Sequence, residues 1–144
     1  MKAFSLLIVP VLALAVAGCG GDDRTALAKK TVTDYWSDIG HLKIDQAYAL
    51  LSPGVQAGLP KTAFQQNIFG FVKNTQGISA KVYRADVVGD CSLVTLGLIS
   101  PLAPTSPYKV HQHLYWTQGA WRITDNNGYV TRNSEKLTTC PTGT

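Results

Sequence analysis

The sequence predicts an α+β domain, with N-terminal helices covering one face of an antiparallel sheet. Apolar residues recur at helical spacing through the first half of the chain. The period then shifts to runs that are β-branched or alternating, and Gln118-Gly119 separates the last two of these by a two-residue turn. At 144 residues one domain is the natural size, and it is placed at residues 25–144. Hydrophobic residues at 45% against charged residues at 15% exclude an intrinsically disordered chain. No run of about 20 apolar residues occurs, so no helix of ordinary bilayer length is expected.

Residues 1–18 read as an export signal. Lys2 precedes an apolar run from Ala3 to Ala17, which is shorter than the ~20 residues a bilayer core requires. Val16-Ala17-Gly18-Cys19 resembles the lipobox of bacterial lipoproteins, a branched apolar residue, two small residues and Cys. The resemblance implies that Cys19 is diacylated, with palmitate-type chains, and becomes the mature N-terminus. Two acyl chains give a stable anchor where one gives a marginal one. Residues 19–24 then serve as lipidated Cys and tether, with Gly20-Gly21 supplying flexibility. The expected location is extracytoplasmic, on a bacterial cell membrane.

The first helix carries Ala28, Val32, Tyr35, Trp36 and Ile39 on one stripe, and Gly40 follows as its C′ residue. A second, near Asp45–Leu51, sets Ala47, Tyr48 and Leu51 on one side and is stopped by Pro53-Gly54. The third starts near Thr62, where Thr62-x-x-Gln65 has capping-box spacing, with Phe64, Ile68, Phe71 and Val72 as its stripe. Strands are expected at Ile78–Val88, Leu93–Ile99, Lys109–Thr117 and Ala120–Thr124, the last two as a hairpin. The proline-rich stretch Ser100–Pro107 reads as a connection. Asp125–Gly128 reads as a turn and Tyr129–Thr131 as a short edge strand.

With Cys19 committed to lipid, Cys91 and Cys140 remain as a pair in a disulfide-permissive compartment. Closing a loop of that size stabilises by about 4 kcal/mol in the chain-entropy description. The absence of a CxxC makes the pair a staple rather than a redox site. Removal of Lys2 with the signal leaves 12 Lys and Arg against 9 Asp and Glu, a mild +3. The basic residues are scattered, Lys29-Lys30 being the one adjacent pair, and no nucleic-acid partner is expected.

Tyr35-Trp36 followed by Ile44-Asp45-Gln46-Ala47-Tyr48-Ala49-Leu50-Leu51-Ser52 resembles the opening helices of nuclear-transport-factor-two-like, or cystatin-like, domains. The hairpin Tyr115–Ile123, with Gly119-Ala120-Trp121-Arg122-Ile123, is similar to their closing strands. The resemblance covers residues 25–125 and implies a strongly curved sheet wrapped around the first helix, with aromatics filling or lining a cone. Tyr35, Trp36, Tyr48, Phe64, Trp116 and Trp121 are the expected pocket lining, His111 and His113 a polar rim. On a strand His111, His113 and Tyr115 project from one face. Two imidazoles are not a metal site, and no metal or other cofactor is expected.

Catalytic residues are not legible in this sequence. Enzymes of this fold that isomerise or dehydrate set a carboxylate base beside polarising donors, as in ketosteroid isomerase. Tyr35, Asp86 and Asp90 are the groups that could echo it, and none sits in a matching motif. The functional expectation is therefore a lipid-anchored, non-catalytic domain binding an apolar small ligand or an envelope protein. The alternative is an isomerase- or dehydratase-like enzyme using the cone. A buried carboxylate facing Tyr35, or His113 turned into the cone, would separate the two.

Overall fold

The computed structural model describes residues 20–124 together with Leu137 and Cys140, with side chains from Asp23 onward. The signal, Cys19, the Asp125–Gly128 turn and the Tyr129–Thr131 strand lie outside these residues. Four helices, α1 (Gly20–Gly40), α2 (Ile44–Ala49), α3 (Pro53–Gly58) and α4 (Lys61–Thr75), precede four strands, β1 (Ser79–Val88), β2 (Cys91–Ile99), β3 (Tyr108–Thr117) and β4 (Ala120–Ile123). The strands form one antiparallel sheet in chain order, β1-β2-β3-β4. This is the α+β arrangement that the change of period predicts.

The stripe on α1 is what packs it: Ala28, Val32, Tyr35, Trp36 and Ile39 are all buried. They meet Val94, Leu96, Val110, Leu114, Trp121 and Ile123 from the inner face of the sheet and Phe64 and Ile68 from α4. On β3, strand alternation sends Val110, Gln112 and Leu114 inward and His111, His113 and Tyr115 outward. Across from them on β2, Ser92, Val94 and Leu96 face in and Leu93 and Thr95 face out. Gln118 and Gly119 both have positive φ, 52° and 75°, the backbone that a two-residue type I′ hairpin turn requires. A bulge between Val82 and Arg84 bends β1.

Three local expectations are corrected. Pro53-Gly54 starts a helix rather than ending one. Proline at the first helical position lacks an N–H that would be unpaired there anyway, and Ser52 caps α3 by accepting from Val55 N–H at 3.3 Å. Thr62 is not a cap, because α4 begins at Lys61 behind Pro60. Gly40 is the last residue of α1, and the left-handed residue is Leu42, φ 56°. A Cβ on Gly40 would collide with the Ile78 carbonyl, so glycine there allows the end of α1 to touch the start of β1.

Residues 20–24, expected as part of a flexible tether, are helical. Helix α1 begins at Gly20, and Arg24 is part of the domain. Its guanidinium donates to Gly89 O and to Asp90 Oδ1, both at 3.1 Å, and stacks 4.4 Å over the Trp116 ring. Trp121 Nε1–H donates back to Arg24 O at 2.8 Å. One side chain thus ties the start of α1 to the β1–β2 turn and the β3–β4 hairpin.

Candidate functional site

The six aromatics expected to line a cone are used for packing. Tyr35 stands edge-on to Trp36 at 5.5 Å, Tyr48 lies 5.4 Å from Phe64, and Trp116 stands edge-on to Trp121 at 5.2 Å. Tyr35, Trp36, Phe64 and Trp121 are at most 4% exposed. Tyr48 and Trp116 are half-buried at the margins of the same cluster. Trp36 Nε1–H donates to Gln112 Oε1 at 3.0 Å, a buried bond that fixes the one amide in the row. Among the described residues no Asp or Glu is buried, and the buried polar side chains are Ser92, Thr95, His111 and Gln112. The interior therefore offers no buried carboxylate to face Tyr35. His113 is on the outer face of β3, turned away from it.

A cavity of about 600 Å³ lies elsewhere, and none of the six aromatics lines it. One wall is the start of α3, Ser52 to Val55. Another is formed by Cys91, Ser92, His113, Leu114, Tyr115 and Thr117 of β2 and β3, and Thr124 and Leu137 complete it. Each wall has a local cause. Ser52 N–H donates to Ile123 O at 2.8 Å and Ile123 N–H to Leu50 O at 2.9 Å, which lays Leu51 parallel to β4 as a bridge. Tyr48 holds α3 in place, donating to Leu59 O at 2.9 Å while Gln56 Nε2 donates to Tyr48 O at 2.8 Å. Cys91 is bonded to Cys140, Cα to Cα 5.2 Å, so the disulfide holds the end of the chain beside the cavity. The pairing predicted for these cysteines is present.

Among the described residues no Lys, Arg, Asp or Glu lines this cavity, and its polar groups there are hydroxyls and the His113 imidazole. His111, the other expected rim residue, is apart from it and buried, 6% exposed, sharing a 3.1 Å hydrogen bond with Thr95 Oγ1. Burial first, then the cations Lys109 and Arg84 and the His113 ring, hold His111 below the usual histidine pKa of 6.5, while Asp86 pulls the other way. Asp86 is itself ion-paired with Arg84 at 2.9 Å. Among the described residues no three His, Cys, Asp or Glu side chains converge as a metal site would require.

Sequence reasoning correctly put His111, His113 and Tyr115 on one face but missed the α3 wall. The signal was present in Ser52-Pro53, a cap followed by an N1 proline, and in the placement of Cys91 next to this end of β3.

No protein-family model and no curated protein sequence matches the chain. Among solved structures it is similar to a protein from Streptomyces avermitilis assigned to the NTF2-like family as a candidate dehydratase. The TM-score is 0.53 at 14% identity, covering 71% of this chain and 91% of that one. It is also similar to Bd1075 from Bdellovibrio bacteriovorus, TM-score 0.50 at 10% identity over 67% of this chain and 36% of that one. A third, an uncharacterized cystatin-fold protein from Novosphingobium aromaticivorans, has a TM-score of 0.49 at 10% identity, over 67% and 94%. At these identities the likeness is one of fold: the domain shares the α+β architecture of the NTF2-like Streptomyces protein.

Proposed function

We propose that this chain is an extracytoplasmic binding domain, lipid-anchored through Cys19 to a bacterial membrane, whose small and largely apolar ligand occupies the cavity between α3 and the outer side of the sheet. One observation carries the reading: the cone is filled by its own aromatics, whereas the open cavity has no charged side chain among its described lining residues. Its volume is within the roughly 300–1,000 Å³ of ordinary small-molecule sites. Pro53, Val55, Leu114 and Leu137 supply apolar wall, and an apolar guest avoids the cost of stripping water from a charge.

The test is native mass spectrometry of the full chain, made with its own leader and extracted gently from membranes. A bound mass of lipid or small-molecule size is expected. A chain that comes off bare and takes up no neutral dye such as Nile red would overturn the ligand reading. Cys19→Ala is expected to move the protein from the membrane fraction to the soluble export, and continued retention would overturn the anchor.

A second reading, isomerase or dehydratase chemistry, is favoured by His113 and Tyr115 lining the same cavity, an imidazole and a phenol able to move a proton. The dehydratase assignment of the Streptomyces protein agrees with it in class. His113→Gln separates the two, because a binder keeps its dye affinity and an enzyme loses turnover.

A further inference from the structure

The two ends of this domain are different surfaces. Strand alternation and order put the β1–β2 turn (Gly89-Asp90) and the β3–β4 turn (Gln118-Gly119) at one end of the sheet, and the Ser100–Pro107 connection at the other. Strands of 9 and 10 residues separate the ends by about 30 Å at ~3.3 Å per residue. Helix α1 runs the same length, about 30 Å for 21 residues. Its last residue touches Ile78 at the connection end, and Arg24 near its start is clamped to Gly89, Asp90 and Trp116 at the turn end.

We infer that the turn end is the surface that lies against the bilayer, so that the domain stands end-on with the Ser100–Pro107 connection pointing away. The inference rests on the lipid-anchor reading of Cys19 and adds to it an orientation. Cys19 is five residues before Arg24. That span reaches about 18 Å if fully extended and about 8 Å if helical, as it is from Gly20 in this structure. The clamp leaves no slack beyond that, so acyl chains on Cys19 would bring the Arg24 end, and not the other, to the headgroups.

The chemistry of this end suits the position. Tyr115 is exposed and Trp116 half-buried, the residue types that settle at membrane–water interfaces. The acidic side chain of the β1–β2 turn, Asp90, is neutralised by Arg24. Cys91, Tyr115 and Thr117 bring the cavity to the same end, so an apolar guest would enter it from the lipid side.

The experiment uses the full lipidated chain in vesicles of phosphatidylethanolamine and phosphatidylglycerol doped with a headgroup-nitroxide lipid. A fluorophore is placed on Gln118→Cys in one preparation and on Ala103→Cys in another, both exposed positions. Quenching at residue 118 is expected to exceed that at residue 103 at least threefold, with both proteins floating with the vesicles. Equal quenching, or stronger quenching at 103, with the protein still vesicle-bound would overturn the orientation and leave the anchor intact. Failure of either protein to float would overturn the anchor and the orientation with it.

Discussion

The two faces of the sheet follow opposite rules. The inner face is a mostly apolar surface against α1 and α4, interrupted by buried Ser92 and by Gln112, whose Oε1 accepts from Trp36 Nε1–H. The outer face carries Arg84 paired to Asp86, His111 bonded to Thr95, and His113 and Tyr115 at the cavity. The fold is one whose interior is expected to hold a site, yet here large side chains occupy that interior and stability is what it provides. Open space and titratable groups are left to the outer side. Fold likeness therefore locates the core and not the open space beside it.

The sharpest way to break this contrast is to cut into the inner face. Trp121→Ala is expected to cost about 3–5 kcal/mol in urea denaturation, since it removes a buried indole, its edge contact with Trp116 and its bond to Arg24 O. A loss under about 1 kcal/mol would mean that the interior is loose enough to host a guest after all.

Next in size is Cys140→Ser. It should cost about 2–4 kcal/mol, the usual range for a disulfide closing a loop of this kind, here 49 residues in separation. It should also weaken dye uptake, because the bond holds one wall of the outer cavity. Unchanged uptake would reduce the bond to a staple.

At the end where the two faces meet, Arg24→Ala is expected to cost about 1 kcal/mol, the scale of one cation–π contact with a partly exposed ion pair. Amide exchange should rise in the first turns of α1 and in the β1–β2 turn together. Exchange confined to α1 would show that the clamp does not couple them.

The smallest effect belongs to the outer face alone. His111 has a folded-state pKa below its unfolded value, so the unfolded chain takes up the proton first as pH falls. Its neutral form is compatible with full stability above about pH 6.5, and stability is lost as pH drops below that toward the lowered folded pKa. His111→Gln should flatten this part of the stability profile between pH 7.5 and 5.5. A variant that tracks the parent would place the pH dependence elsewhere.

Much of the architecture was legible because it is periodic. The α1 stripe from Ala28 to Ile39, the four strands and the Gln118-Gly119 hairpin all follow from local spacing, and the Cys91–Cys140 bond from cysteine count and the expected compartment. Two kinds of information were not local. Whether Tyr35, Trp36, Phe64 and Trp121 line a space or fill it depends on how their volumes sum against Val94, Leu96 and Leu114, which spacing does not encode. The cavity is made by residues from α3, β2, β3 and the chain end, brought together by Tyr48–Gln56 and Leu51–Ile123 contacts between distant positions. Gly40 misled for a related reason: its requirement is a close approach to Ile78, not a turn.

The Leu51–Ile123 bridge has a consequence for self-association. A sheet of four strands exposes two margins, and an exposed margin with unpaired N–H and C=O groups is a template for another strand. At β4 Ile123 donates its N–H to Leu50 O and accepts at its carbonyl from Ser52 N–H, so the last residue of that margin is already paired within the chain. At β1 the bulge at Val82–Arg84 breaks the regular register, and exposed Lys81 sets a charge beside it. Among the described residues one margin is capped at Ile123 and the other is kinked at its middle, and both features work against growth into ribbons where many copies crowd together.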